Sequence, residues 1–232
     1  WFMIFFLGVV LIGTLYPGTP LILIWVNENL GWSHTVNYPD KTDVFKLRMV
    51  DNKKYIVDGK EFELEKLKAK IYIKILGFPI KINRKYFKSI YGPTLNNKLG
   101  YYSIRTPTFF NVRALEQWWR MGKSKNFTEF YNTLKMKQIP GFNIGYADKY
   151  DTIFYISNGI IPKRAEGFNW RGIVPGDTKK TLWTDYYDIE DLPQVIQPKA
   201  GFIYDANHSP FKSTSAEENP KEEDYSERMG YE

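Results

Sequence analysis

The sequence predicts a strand-rich fold with one hydrophobic core and with helices confined to a single region. Aromatic residues make up 17% of the 232 residues, which favours sheets with large packed surfaces over a helical bundle. Strand patterns and tight-turn signals also recur along most of the chain. A chain of this length with 43% apolar residues can bury a sizeable core, which excludes disorder as its main state. We expect residues 1–232 to form one piece without an internal domain boundary.

The start of the chain is its most apolar part and contains two runs, residues 1–13 and 21–26. Each run is shorter than the roughly 20 residues that a spanning helix needs. The turn Pro17-Gly18-Thr19-Pro20 separates them, so we expect two buried strands and no membrane span. Because the chain begins in mid-strand without Met, we expect it to be cut from a longer protein.

Turn signals and alternating residues predict hairpins over the first third of the chain. Asn27 to Gly31 predicts one tight turn and Asp58-Gly59 another, because Asn, Asp and Gly tolerate positive φ. Lysines alternate with apolar residues over positions 66–75, which predicts an antiparallel strand with one solvent-exposed face. Lysine on that face is a common protection against edge pairing, and an anionic partner is the alternative.

Helix signals occur in one region. Residues 112–121 have helical periodicity, and a second helix is predicted after Asn126 as N-cap with Glu129 at the capping-box position. Strand patterns return at residues 142–148 and 153–156, and a last strand is predicted at residues 201–204.

The residue types exclude several classes of chemistry. The chain has no Cys, so disulfides, thiol nucleophiles and cysteine-bound metals are excluded, and two His are too few for a multi-histidine metal site. No Walker loop and no Gly-x-Ser-x-Gly elbow occur in it. Catalysis must therefore use oxygen or nitrogen groups. The net charge of +6 leaves a nucleic-acid binder open as an alternative.

Several short motifs follow one another along almost the whole chain. They are Gly13-Thr14-Leu15-Tyr16-Pro17-Gly18-Thr19-Pro20, then Asn27, Gly31-Trp32, Thr35-Val36, Asp40 and Asp43, then Gly92-Pro93, then Asn143-Ile144-Gly145-Tyr146-Ala147-Asp148, Ile153-Phe154-Tyr155, Gly159, Pro162 and Arg164, and finally Pro193, Pro198, Gly201-Phe202-Ile203 and Ala206-Asn207-His208-Ser209-Pro210. In this order they resemble the large (beta) subunit portion of the penicillin acylase (penicillin amidase) family of N-terminal-nucleophile hydrolases. The resemblance implies an α+β fold with four αββα layers and antiparallel sheets, incomplete in this fragment.

The resemblance also implies a mechanism. In the family, an N-terminal Ser attacks an amide carbonyl, and its own α-amino group is the general base. Asn207 occupies the position of the side-chain amide that binds the oxyanion, and Val36 that of the backbone N–H which completes the oxyanion hole. Arg228 lies near the spacing of a further catalytic Arg. The Ser itself is not in this chain, so the resemblance implies that the fragment alone is inactive.

Substrate and metal positions follow from the same resemblance. Ile24, Tyr38, Trp118 and Phe142 fall at positions that line the acyl group in relatives, and His34 lies close to the expected oxyanion site. Core packing is the alternative for Ile24 and Phe142. Asp40 and Asp43 match positions that bind a structural Ca²⁺, for which solvated loop aspartates are the alternative.

The implied activity is hydrolysis of the N-acyl amide bond of a small molecule, of β-lactam or acyl-homoserine-lactone type. The implied partner is the small (alpha) subunit from the same self-processed precursor, with a periplasmic or secreted location, no organic cofactor and no nucleic acid. Two alternatives remain beside the nucleic-acid binder. One is a relative of the same fold that has lost catalysis. The other is a β-rich ligand-binding module, suggested by Trp118-Trp119.

Overall fold

A computed structural model of the chain describes residues 2–6, 9–14, 21–226 and 229. Arg228, expected at a catalytic position, lies outside these residues. The strands, in chain order, are β1 (Phe2–Phe6), β2 (Val9–Thr14), β3 (Ile24–Val26), β4 (Leu30–Thr35), β5 (Asp43–Lys46), β6 (Arg48–Met49), β7 (Lys54–Val57), β8 (Lys60–Glu63), β9 (Glu65–Ile75), β10 (Phe78–Ser89), β11 (Gly92–Asn97), β12 (Gly100–Arg105), β13 (Gly141–Asp148), β14 (Ile153–Gly159), β15 (Ile173–Pro175) and β16 (Gln194–Ile196). The α-helices are α1 (Ala114–Lys123) and α2 (Phe127–Leu134).

The chain folds into two compact units. The first comprises Trp1–Lys41, Phe110–Ile161 and Tyr186–Glu232, and the second comprises Thr42–Phe109 and Pro162–Asp185. The expectation of a single piece without an internal boundary stays a prediction.

One antiparallel sheet forms the frame of the first unit, with strands in the order β1-β2-β3-β4-β13-β14-β16. The apolar run at the chain start gives two strands rather than one, because β1 pairs with β2 and β2 pairs with β3. The predicted Pro-Gly turn lies outside the described residues. Strands β13 and β14 confirm the two patterns expected in the middle of the chain.

Both helices belong to the first unit and contribute to its core. Asn126 caps α2 as expected, since its Oδ1 accepts the backbone N–H of Glu129 at 2.9 Å. Helix α1 begins at Ala114, two residues later than the pattern predicts. Met121 of α1 and Phe130 of α2 are fully buried in the same cluster as Trp25 and Trp32 of the sheet. At Gly122, a Cβ would lie 2.3 Å from the Trp25 ring, so this close approach of helix and strand requires glycine.

The second unit contains a six-stranded sheet, β15-β5-β12-β11-β10-β9, and a three-stranded one, β6-β7-β8. All pairs are antiparallel except β15 with β5. Asp58 and Gly59 both have positive φ and form the predicted tight turn between β7 and β8. In its core, Phe45 stacks on Tyr91 with ring centroids 4.6 Å apart.

Two strand expectations need correction. The lysine-rich strand β9 is exposed along nearly its whole length, on both faces, and not on one face only. No strand forms at residues 201–204, and β16 is the last strand in the described part of the chain. Positive φ at Gln197 and Gly201, on either side of Pro198, turns the chain away from the extended path that a ladder needs. No helix among the described residues is long and apolar enough to cross a membrane.

Candidate active site

The end of β4 and the loop after Ile203 bring together the two residues expected to bind an oxyanion. The backbone N–H of Val36 donates a hydrogen bond to Oδ1 of Asn207 at 3.1 Å, across 171 positions of the chain. Asn207 has φ of 60°, a left-handed conformation that Asn tolerates better than most residues. The side chain of Val36 is 49% exposed. Its backbone, and not its isopropyl group, therefore supplies the contact.

The Asp205 carboxylate binds both segments that carry Val36 and Asn207. Its Oδ1 accepts the backbone N–H of Asn207 at 3.1 Å and Nδ2 of Asn143 at 3.2 Å. Its Oδ2 accepts the hydroxyl of Thr35, the residue before Val36. One carboxylate thus fixes the turn that carries Asn207, strand β13 and the end of β4.

Asn37 holds the chain on the other side of Val36. Its side chain is buried, and its Nδ2 donates to the backbone carbonyl of Asn158 in β14 at 2.8 Å. Its Oδ1 accepts Nζ of Lys41 at 3.3 Å. Val36 is therefore flanked by two residues that are tied to the sheet, which limits how far its N–H can move.

A cavity of about 490 Å³ opens beside Asp205 on one face of the sheet. Ile24 and Thr35 line it from the strands, and Ile203 and Tyr204 line it from the loop. Tyr155 of β14 also lines it, and burial, then the negative charge of Asp205, raise the pKa of its hydroxyl. This hydroxyl and Oδ1 of Asn143 are buried and have no hydrogen-bond partner among the described residues. The cavity thus combines apolar walls with the unsatisfied hydroxyl of Tyr155, which is typical of a small-molecule site.

Two of the residues expected to line an acyl group, Trp118 and Phe142, form an aromatic cluster with His34, which was expected close to the oxyanion site. The ring centroid of His34 lies 4.5 Å from that of Phe142 and 6.0 Å from that of Trp118, and Trp118 and Phe142 are 5.8 Å apart. Trp32 joins the cluster at 5.9 Å from His34. The cluster can hold an apolar or aromatic group.

Burial lowers the pKa of His34, an effect that outweighs an opposing hydrogen bond with the backbone of Leu23. The imidazole is therefore held toward its neutral form. Its Nδ1 and the indole Nε1 atoms of Trp32 and Trp118 are buried without a hydrogen-bond partner among the described residues. An acceptor on a bound acyl group could satisfy one of the two indole donors.

The remaining acyl-site positions are separated from this cluster. Ile24 lines the cavity beside Asp205, and the side chain of Tyr38 is 49% exposed. The structure thus brings together His34, Trp118 and Phe142, and assigns Ile24 and Tyr38 to other surroundings.

Asp43, expected to bind calcium, lies in the second unit and forms a buried ion pair. Its Oδ2 accepts Nε of Arg164 at 2.8 Å and Nε1 of Trp183 at 2.7 Å. Both of these contacts are made by one carboxylate oxygen, Oδ2. Asp40 belongs to the first unit. No group of three or more acidic, His or Cys side chains that could hold a metal occurs in the described part of the chain. The calcium site stays a prediction.

Sequence reasoning assigned no role to Asp205, Thr35 or Asn143. One signal for Asp205 was present, because an Asp two residues before an Asn is a common turn signature. Its long-range bonds to Thr35 and Asn143 depend on how the sheet is assembled and have no local signal.

Comparison with known proteins agrees with this arrangement. The model of the family described as Penicillin amidase matches residues 6–230. The acyl-homoserine lactone acylase PvdQ of Pseudomonas syringae pv. syringae (strain B728a) is 29% identical over 161 residues, which are 65% of this chain and 21% of that protein. Penicillin G acylase of Escherichia coli is 28% identical over 204 residues, 87% of this chain and 24% of that protein. The chain thus spans about a fifth to a quarter of the length of these relatives.

A solved structure shows the fold. The thermostable penicillin G acylase from Alcaligenes faecalis aligns with 95% of this chain and 40% of its own, with a TM-score of 0.77 and 21% sequence identity. The α+β fold with antiparallel sheets that the motif order implied is thereby confirmed.

Proposed function

The chain belongs to the penicillin amidase family, and from that premise we propose that it forms the oxyanion-binding and acyl-binding part of an enzyme that hydrolyses N-acyl amide bonds. The observation that supports this proposal most directly is the 3.1 Å contact between the Val36 N–H and the Asn207 side chain. These two residues carry the expected oxyanion donors, and they meet although they are far apart in the sequence.

The chemistry places negative charge on the substrate carbonyl oxygen. A hydroxyl oxygen attacks the amide carbon, a C–O bond forms, and the former carbonyl oxygen becomes an oxyanion. The C–N bond then breaks, and the proton taken from the nucleophile goes to the leaving amine. Water releases the acyl group by the same sequence of steps. The N-terminal Ser and its α-amino group remain the proposed nucleophile and base, and none of the described residues is assigned either role.

Asn207 and Val36 suit the oxyanion because both offer neutral N–H donors. An amide and a backbone N–H stabilise developing charge without exchanging a proton at neutral pH. In the structure, Oδ1 of Asn207 holds the Val36 N–H, so a bound oxyanion would take that donor over while Nδ2 of Asn207 supplies the second. Catalytic hydrogen bonds commonly tighten only when substrate is bound.

The acyl side of the substrate is proposed to be apolar or aromatic. The ring centroids of His34, Trp118 and Phe142 lie within 6.0 Å of one another, and burial favours the neutral form of His34. The names of the relatives suggest that the amine released on hydrolysis is a β-lactam nucleus or a homoserine lactone. A small subunit cut from the same precursor, and a periplasmic or secreted location, complete the proposal.

The first experiment is intact-mass analysis and N-terminal sequencing of the product of the full reading frame. Two chains, the larger one opening with Ser, Thr or Cys upstream of Trp1, would establish the self-processing nucleophile. A single unprocessed chain would contradict the amidase mechanism and favour a relative of the same fold that has lost catalysis.

The second experiment tests the oxyanion assignment in the processed enzyme. Asn207→Ala should lower kcat for an aromatic or medium-chain N-acyl amide by about a hundredfold or more, with a smaller change in KM. Asn96→Ala, at an exposed position of strand β11, is the matched control and should leave kcat within twofold. Equal kcat for wild type and Asn207→Ala would remove Asn207 from the proposed site.

A further inference from the structure

The hairpin of β9 and β10 has a composition unlike that of the rest of the chain. Residues 65–89 contain eight Lys or Arg and one Glu, which gives the hairpin a net charge of +7. The whole chain has a net charge of +6, so all other residues together carry −1. The basic character of this protein is therefore a property of one hairpin.

The hairpin extends as a two-stranded ribbon. Among the described strands, β9 pairs with β10 alone, and β10 pairs with β11 through its last three residues, 87–89. The 11 residues of β9 correspond to about 37 Å of extended chain. An isolated two-stranded ribbon is marginally stable in water, so a ribbon of this length gains from a surface that covers it.

The register sorts the side chains of the ribbon onto two different faces. Residues opposite each other across the two strands share a face. The pairs Ile71↔Ile82, Ile73↔Ile80 and Ile75↔Phe78 lie on one face, which we call the apolar face. The alternate positions form the cationic face and include Lys66, Lys68, Lys70, Lys74, Lys81 and Lys85.

The apolar face and the tip are exposed. Leu76 and Gly77 form the turn with positive φ, and the side chains of Leu76 and Phe78 are 93% and 73% exposed. Ile73 and Ile80 are also exposed. Exposed apolar patches of this kind mark interaction surfaces.

Charge complementarity indicates an anionic partner. Lys68 lies directly opposite Lys85, an arrangement of like charges that destabilises an isolated ribbon and that nearby anions would relieve. Lys74 and Lys81 lie one and three cross-strand pairs behind the Ile75↔Phe78 pair, about 3 to 10 Å from the tip. Lysine side chains at that distance can reach the headgroups of a bilayer whose outer part the tip has entered.

We propose that the β9–β10 hairpin binds the surface of an anionic lipid bilayer, with its tip and apolar face in the headgroup and outer acyl region and its lysines at the lipid phosphates. A nucleic acid would be bound by the lysines but would leave the apolar face and the tip in water. The inference does not depend on the proposed amidase activity.

The test uses the full chain and two kinds of large unilamellar vesicle, one of phosphatidylglycerol and phosphatidylcholine in equal parts and one of phosphatidylcholine alone. Cosedimentation should show binding to the anionic vesicles at least tenfold stronger than to the neutral ones. Lys74→Gln/Lys81→Gln should weaken anionic binding by about thirtyfold at low salt, and salt should weaken wild-type binding. The control Lys53→Gln/Lys98→Gln removes the same charge from exposed positions outside the hairpin and should change binding less than twofold.

A second pair of variants tests the tip. Leu76→Asn/Phe78→Thr removes the exposed apolar groups, and Asn tolerates the positive φ at position 76. This double variant should reduce vesicle binding at least tenfold. The control Leu95→Thr/Leu99→Asn, at exposed positions of β11 and the turn after it, should reduce vesicle binding less than twofold. Circular dichroism and the thermal midpoint check that each variant is folded.

Three outcomes would overturn the proposal. One is equal binding to neutral and anionic vesicles, or binding to neither. Another is self-association in sedimentation velocity that the tip variant abolishes, with no vesicle binding, which would make the apolar face a contact between copies. The third is tight, salt-sensitive binding to duplex DNA without vesicle binding.

Discussion

The backbone N–H of Val36 and the side-chain oxygen of Asn207 are joined by a 3.1 Å hydrogen bond between the end of β4 and a left-handed turn. The donor is a backbone N–H, which most substitutions at position 36 keep, whereas the acceptor is a side-chain oxygen, which most substitutions at position 207 remove. The proposed oxyanion role at position 36 therefore concerns the backbone and not the valine side chain.

Val36→Pro and Val36→Ala should therefore have opposite outcomes in the processed enzyme. Proline has no N–H and should lower kcat by about a hundredfold or more, because one oxyanion donor is lost. Alanine keeps the N–H and should leave kcat within about threefold. Steady-state kinetics measures both, and circular dichroism checks the fold of the proline variant. Similar activity of the two variants would show that the N–H at position 36 does not contact the oxyanion.

Asp205 should act as a positioning residue for the oxyanion turn. Asp205→Ala leaves the Asn207 N–H, the Asn143 amide and the Thr35 hydroxyl without their acceptor, and should cost about 1–3 kcal/mol in unfolding free energy. It should also lower kcat more than it raises KM, because the turn that carries Asn207 is loosened. Asp205→Asn keeps one acceptor oxygen and should recover part of both losses. A variant that loses stability but keeps the wild-type kcat would limit Asp205 to a structural role.

Asp43 should contribute to stability through Arg164. The Asp43 carboxylate is fully buried and the Arg164 side chain nearly so, and Asp43→Asn removes the negative charge that contacts this guanidinium at 2.8 Å. We expect a loss of about 3–5 kcal/mol in urea unfolding. The matched control is Glu61→Gln, which breaks the exposed pair of Lys54 and Glu61 and should lower stability far less, because solvent screens that pair. Equal losses for the two variants would contradict the ion-pair assignment.

His34 should make stability depend on pH. Burial lowers its pKa below the ordinary 6.5, so below pH 6.5 the unfolded chain binds a proton that the folded chain resists. The free energy of unfolding should thus fall as pH drops from 7.5 to 5.5, and fall less in His34→Phe, which keeps the ring packing but cannot titrate. Urea titrations of both proteins at the two pH values measure the difference. An identical pH dependence would show that His34 titrates alike in both states.

Local patterns in the sequence predicted much of this fold. The cap at Asn126, the turn at Asp58-Gly59 and strands β13 and β14 each depend on a few neighbouring residues, and the structure contains all of them. The prediction of a strand at residues 201–204 is wrong. Apolar alternation does not distinguish a strand that pairs in a sheet from an extended loop that lacks a pairing partner.

The sequence predicted some contacts of the candidate site and missed others. The motif order placed Asn207 and Val36 together, and the structure joins them. The same motifs suggested calcium at Asp43, which stays a prediction, and they did not indicate that this carboxylate pairs with Arg164, a residue 121 positions later. An ion pair of that kind is decided by where two distant segments meet.

The sequence by itself determined the family, the strand-rich class and the residue types available for chemistry, because these depend on composition and on motifs of a few residues. The tertiary structure decided which side chains meet. Asp205 reaches Thr35 across 170 positions, and the rings of His34, Trp118 and Phe142 converge from three separate segments. Such contacts come from the sheet register and the packing of α1 onto the sheet, and they depend on the burial of all the segments at once.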